Sequence, residues 1–356
     1  MGLLYTKMKI FNYMDKIQSL PETNDLVLPP IHLRIKPTNT CNQKCRYCAY
    51  LDKNLQLGND MNLKDMIPKE KMMEIIDDLD DMSVKAITFS GGGEPLCYPY
   101  FKETLMKLSK TNIKFAALTN GSRLKDDLAI IFSKYATWVR VSIDGWDDES
   151  YSDYRGVANG SYTKLMSNLN NFSKLDGDCF LSVCIIVDKQ NATHLNNLIH
   201  QLKDVGVKSI KIAPCIISNK ATENNFYHKS IENIVKDQID KTFEQLASDE
   251  FEIFDSYHLQ LESFQKHYSW CPYLQILPVI GADCNVYACH DKAYNLDQGL
   301  LGSIKKQRFK DMWLSEKSVF FQINPSIHCN HHCVVNAHNH LLFEFLDIDD
   351  GHRMFV

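Results

Sequence analysis

From residue 31 onward the hydrophobic pattern changes period again and again. Short runs rich in Val, Ile, Phe and Thr occur at IHLRIKP (31–37), VKAITFS (84–90), KFAALTN (114–120), TWVRVSID (137–144), FLSVCIIVD (180–188) and VKSIKIAP (207–214). Bounded by Gly, Pro, Asn or Asp, they predict six β-strands. Between them the apolar spacing is helical. In PKEKMMEIIDDLDDM, Met72, Ile75, Ile76, Leu79 and Met82 share one face, with Pro68 at the start and acids outward. Residues 124–135, 161–175 and 193–206 read the same way. Strand–helix alternation of this kind predicts an α/β fold, a parallel sheet covered by helices. A flat doubly wound sheet and an incomplete barrel both satisfy it. The unusual residues gather after strands: Cys41 after the first, Gly91–Gly93 after the second, Asn120 and Asp144 after the third and fourth. That placement favours the barrel, whose chemistry sits on those loops, although open sheets use the same end near a switch point. Beyond about residue 220 the rhythm becomes one long helical period (230–248), an aromatic stretch and a second cysteine group.

Charge adds little to this picture. The 356 residues carry 39 Lys and Arg against 44 Asp and Glu, a net charge of −5, spread without a basic block. Nucleic-acid and membrane surfaces are therefore not expected. No apolar run approaches the roughly 20 residues of a bilayer span, and the first 16 residues lack a signal peptide's apolar core. The expectation is a cytoplasmic protein.

The twelve cysteines change the picture. In a reducing compartment thiols are kept for reactivity or metal binding more than for cross-links. Cys97, Cys179, Cys184 and Cys215 sit singly in apolar settings and read as small buried hydrophobes. Cys41, Cys45 and Cys48 fall in one loop and can converge on one centre, with an iron–sulfur cluster and zinc as the alternatives. No fourth Cys or His follows nearby, and His32 lies at the wrong end of the preceding strand. Three ligands leave one metal position open.

CNQKCRYC (41–48), with C-x-x-x-C-x-x-C spacing and an aromatic before the last cysteine, resembles the signature of the radical S-adenosylmethionine (SAM) enzymes. SGGGEP (90–95), LTNG (118–121) and VSIDG (141–145) resemble that family's later motifs. The resemblance implies an incomplete (β/α)6 TIM-like barrel over 31–220, after an extension of 1–30. It implies that Cys41, Cys45 and Cys48 hold a [4Fe–4S] cluster that chelates SAM. Gly91, Gly92, Gly93 and Glu94 would line the methionine amino group, and Tyr47 would lie beside the adenine. Asn120, Ser142 and Asp144 would meet the methionine and ribose, Arg155 the SAM carboxylate, and Ile212 the adenine. A flavodoxin- or ferredoxin-like protein would supply electrons.

The second group holds Cys271, Cys284, Cys289, Cys329 and Cys333. It resembles the C-terminal SPASM and twitch extensions of the same family, here spanning 265–345 after a helical linker (221–264) and before a tail (346–356). Cys271, Cys289, Cys329 and Cys333 would enclose an auxiliary [4Fe–4S] cluster. Cys284 stands where D-G-x-V-Y-x-C has glycine, which makes it an unlikely ligand. The histidines of this segment (His290, His328, His331, His332, His338, His340) keep zinc open as the alternative. The cysteine layout most resembles 2-deoxy-scyllo-inosamine dehydrogenase. The expected activity is therefore a radical SAM oxidoreductase, a dehydrogenase or epimerase acting on a carbohydrate or aminocyclitol-like small molecule, with Arg155 and Lys211 as candidate bases. The alternatives are modification of a ribosomally made peptide and, from another class, a non-catalytic zinc-stabilised binding module.

Overall fold

The computed structural model describes residues 4–21, 23, 26–260 and 264–355. Seven parallel strands lie side by side in chain order: β1 (His32–Ile35), β2 (Ala86–Phe89), β3 (Lys114–Thr119), β4 (Trp138–Ser142), β5 (Phe180–Val187), β6 (Ser209–Pro214) and β7 (Glu252–Asp255). The first six fall inside the runs read from the sequence. β7 lies in the stretch read as a helical linker, of which 261–263 fall outside the described residues. Its four residues, EIFD, are too few to show a period after the 15-residue helix Glu232–Leu246.

The cysteine-rich segment continues this sheet. β8 (Val279–Ile280) pairs parallel with β1, placing Val279 opposite Arg34, and β9 (Asn285–Tyr287) and β10 (Leu300–Ser303) follow antiparallel. The order is β10-β9-β8-β1-β2-β3-β4-β5-β6-β7, with β10 and β7 as open edges. The result is an incomplete barrel extended at the β1 edge. Behind β10, Asp78 on the first barrel helix (Lys69–Asp81) is buried. It accepts from the Phe309 N–H at 2.9 Å and pairs with Arg308 at 2.6 Å, anchoring the C-terminal segment.

Alternation along each strand separates two environments. Leu33, Ile35, Val139, Val141, Val183, Ile210 and Ile212 face outward into one core with helix residues such as Ile75, Leu79, Leu169 and Leu198. The inward positions are different. Along β1 and β4 they alternate with the buried ones as half-exposed residues: His32 and Arg34, then Trp138, Arg140 and Ser142. A closed eight-stranded barrel fills that space with apolar layers; this one lines it with polar and charged side chains.

Candidate functional site

The loop after β1 carries Cys41, Cys45 and Cys48, all free thiols. It is fixed from two sides. Lys44 and Arg46 donate their backbone N–H groups to the Arg155 and Tyr154 carbonyls at 2.8 and 3.1 Å, at the end of the helix Asp148–Arg155. That helix starts with a capping box between Asp147 and Ser150 and stops at Gly156, whose φ of +58° is left-handed. A Cβ on Gly156 would lie 2.9 Å from the Lys44 carbonyl, so the helix ends where the cysteine loop passes. Arg46 adds a side-chain anchor, with Asp188 at 2.6 Å, Asp153 at 2.9 Å and the Tyr154 ring beneath it.

The glycine segment after β2 packs against the start of the same loop. Gly93 N–H donates to Thr38 O at 3.2 Å and Glu94 N–H to Thr40 O at 3.0 Å. A Cβ on Gly93 would sit 2.2 Å from the Thr40 carbonyl, and one on Gly92 would sit 2.2 Å from Asn39 Oδ1. Gly93 is thus required by close backbone approach, while Gly92 is crowded by the Asn39 and Met61 side chains. Glu94 is buried, and its carboxylate accepts from the N–H groups of Asn120 (2.7 Å) and Leu96 (3.1 Å) and from the Thr119 hydroxyl. Burial raises its pKa despite these donors. The Asn120 amide continues the chain to Asn42 Oδ1 at 2.9 Å, next to Cys41.

Arg155 is buried between Asp144 Oδ2 and Cys45 Sγ, the latter 3.4 Å from Nη1. Burial opposes its charge, but Asp144 and Cys45 outweigh burial and raise its pKa. An arginine held in this way acts through its charge and does not take up a proton as a base. Asp144 Oδ1 also accepts from Ile186 N–H at 2.6 Å. Cys41, Cys45, Cys48, Gly91–Gly93, Glu94, Asn120, Asp144 and Arg155 therefore form one connected region. Tyr47 sits at its edge, its ring 5.9 Å from that of Tyr154 and under Arg155. Ser142 lines the inner face opposite Cys184. Ile212 departs from expectation: strand alternation turns it to the outer core with Ile210, while Lys211 faces inward.

Fit to the implied cofactor can be read from the polar atoms left over. Tyr47 Oη, Ser90 Oγ and Arg155 Nε are buried without partners around the three thiols. Although Cys41 is an exposed residue, its thiol is partly desolvated, which pushes its pKa up to about 11. Three neighbouring thiols on one loop, of which Cys41 and Cys48 each feel Cys45, a cradle without side chains and orphaned polar groups fit a cluster with SAM.

The second group also assembles. Cys271, Cys289 and Cys329 share one small buried cluster with Leu274, Ala288 and Ile323. Cys271, with its pKa pushed up to about 12 by burial, feels the charge of Cys333 and Cys329, and Cys333 that of Cys289. The Asn339 amide donates to Cys271 Sγ at 3.1 Å. Lys266 and Lys292, both buried, close over the group by bonding the His331 and His328 carbonyls. Two buried lysines beside four thiols match the net negative charge of a thiolate-bound cluster. Three of the histidines are hydrogen-bonded, His331 Nδ1 with His332 O at 2.7 Å, His328 Nδ1 with Asn324 N–H at 3.0 Å and His290 with Lys36 and Tyr50, while His331 Nε2 and His338 Nδ1 are buried without partners. Among the described residues no three His, Cys, Asp or Glu side chains converge tightly enough for a single metal ion. Cys284 lies apart, in the main core. Its φ is +58°, the backbone reason why the related motif has glycine there.

Three residues that bridge the two groups carry no sequence motif. Lys36, fully buried just beyond β1, reaches the Gly91 carbonyl at 2.6 Å, His290 Nδ1 at 3.4 Å and the Tyr50 hydroxyl. It links the glycine cradle to the residue after Cys289.

Comparison with known proteins agrees with this geometry. Residues 35–202 match the model of the radical SAM superfamily. Over 323 residues the chain is 24% identical to a cysteine-type anaerobic sulfatase-maturating enzyme of Clostridium novyi, covering 84% of each. It is 28% identical over 118 residues to an S-adenosylmethionine-dependent nucleotide dehydratase of Flammeovirga pacifica, covering 33% of this chain and 39% of that protein. The structure of Streptococcus suis SuiB bound to precursor peptide SuiA superposes with a TM-score of 0.61 at 17% identity, over 86% of this chain and 69% of SuiB, which shows a shared fold. The matched stretch is a radical SAM domain. That match covers just under half of the chain. Among the described residues no helix is long and apolar enough to cross a membrane.

Proposed function

We propose that this chain oxidatively modifies a peptide. In this reading Cys41, Cys45 and Cys48 hold the SAM-binding cluster, and Cys271, Cys289, Cys329 and Cys333 hold the auxiliary one. When bound, these groups supply one-electron chemistry: a 5′-deoxyadenosyl radical to take a substrate hydrogen, and an acceptor for the substrate's electron. The protein's part is to hold the two centres at one end of the barrel. The observation that carries the reading is Lys36, which joins the Gly91 cradle to His290 beside Cys289. Lys36 thus ties the two centres together on one side of the sheet.

Gly91–Gly93 and Asn120 position the methionine end of SAM, and Arg155, fixed by Asp144, sets a positive charge against Cys45. Cys41 is exposed, so a protein electron donor of the flavodoxin or ferredoxin kind can approach that side. The peptide assignment draws on the sulfatase-maturating relative, matched over most of both chains, and on the SuiB fold, seen with its precursor peptide. Oxidation of a carbohydrate or aminocyclitol, by the same two centres, is the second reading; the resemblance in cysteine layout favours it.

The test is anaerobic turnover of the reconstituted enzyme with SAM and a reductant, against short peptides encoded beside its gene and a panel of aminocyclitols. A SAM-dependent loss of two mass units from a peptide supports the proposal. Oxidation of an aminocyclitol with every peptide unchanged overturns it.

A further inference from the structure

The inner face of the barrel holds three cations from three separate strands: Arg34 on β1, Arg140 on β4 and Lys211 on β6. All three are partly buried, and burial disfavours the charge of Arg34 and Lys211. Among the described residues none has a carboxylate at ion-pair distance. Arg34 Nε is buried without a partner. Arg140 donates only to neutral oxygens, Ser182 Oγ at 3.4 Å and the Tyr5 hydroxyl at 3.2 Å. Lys211 stands opposite Cys184 on one side and Phe254 on the other.

The three are close enough to repel one another: Lys211 is disfavoured as a cation by burial first and, against the favourable Cys184, by Arg140 and Arg34. The opposing acids are few. Asp291 and Cys289 face Arg34 from the auxiliary side. Glu252, opposite Ser209 at the foot of β7, has Lys9 as its charged neighbour. Asp144 is already bound to Arg155. Desolvated cations without counter-charge cost free energy. An anion entering this space removes that cost, and two guanidinium forks with an ammonium suit a planar carboxylate.

We propose that the barrel interior is a carboxylate-binding pocket, in which Arg34, Arg140 and Lys211 grip an acidic group of the substrate and so select it. The inference rests on the peptide reading for the source of that group, an Asp or Glu side chain or a C-terminal carboxylate. Lys211 is then a specificity residue and does not act as a base.

The test uses the reconstituted holoenzyme saturated with SAM, so that the SAM carboxylate subsite is occupied. Four probes are titrated by calorimetry: N-acetylglutamate N-methylamide, N-acetylglycine, the neutral N-acetylglutamine N-methylamide, and inorganic phosphate. At least one carboxylate is expected to bind tenfold or more tightly than the neutral amide. Whether it is the first or second probe separates a side-chain from a C-terminal source. Lys211→Gln and Arg140→Gln, with Lys211→Met as a second variant should the first misfold, should each reduce that preference at least fivefold. Lys220→Gln, an exposed lysine paired with Glu223, should leave it unchanged. Equal binding of charged and neutral probes, a preference that survives both substitutions, or binding of phosphate alone overturns the proposal. No peptide turnover is needed. A carboxylate preference with no peptide modified overturns the peptide reading alone, and modification of a peptide without that preference overturns the pocket alone.

Discussion

At the scale of single residues, Gly93 and Gly160 separate two reasons for glycine. Gly160 has a φ of +83° and open space where a Cβ would go, so Gly160→Ala should cost only the backbone term, about 1 kcal/mol. Gly93 has no such angle, but its Cβ would enter the Thr40 carbonyl and the Asn39 backbone. Gly93→Ala must push the cysteine loop off the cradle. It should cost about 2 kcal/mol or more and abolish SAM binding, as read by thermal melts and equilibrium dialysis. Intact SAM binding in Gly93→Ala would mean that the cradle is not the SAM site. Motifs such as CNQKCRYC and SGGGEP were legible because their chemistry is contiguous in the chain. Lys36, Tyr50 and His290 were not. Each is an ordinary residue until β8 pairs with β1 and brings residue 290 to residue 36. Ile212 was misplaced for a related reason: only the register of β6 against β5 decides which of two successive residues faces inward.

At the scale of elements, strands of four or more residues between helices could be read from the chain, whereas the two-residue β8, inside LPVIGA, carries no period at all. The N-terminal helix Met14–Gln18 holds a further consequence of docking. Lys16 is buried against Leu28 O at 2.7 Å, with Lys317 nearby, and burial followed by that second charge lowers its pKa from 10.5 to about 7. Between those values the unfolded chain binds the proton and the folded chain does not. Stability contributed by this group therefore rises with pH from about 7 to about 10.5, by at most about 1.4 kcal/mol per pH unit. Urea melts at pH 7, 8 and 9 should show that rise in the wild type and a flatter dependence in Lys16→Met. Parallel curves for the two proteins would refute the assignment.

At the scale of the molecule, one sheet carries both cysteine groups, so the two centres are built by one fold and tied together through β1 and β8. Their ligand sets remain separable. The first is fixed by the loop after β1 and the helix ending at Arg155. The second is fixed by residues 271–333, anchored behind β10 through Asp78 and Arg308. Anaerobic reconstitution should give about eight irons per chain, as two four-iron clusters. The Cys41/Cys45/Cys48→Ala variant should keep about four, as should Cys329→Ala/Cys333→Ala, because neither set lends a ligand to the other. Cys284→Gly should keep all eight, since that thiol packs in the main core and glycine relieves its left-handed backbone. The C-terminal variant should also melt earlier than the N-terminal one. The covering Lys266 and Lys292, both buried, lose the cluster that balances them, whereas Arg155 beside the first group keeps Asp144 as its counter-charge. Iron and sulfide analysis with a melt of each variant decides the matter. Four irons in the wild type, with zinc retained by the C-terminal cysteines, would remove the electron acceptor on which an oxidative reaction depends and leave a redox-neutral one.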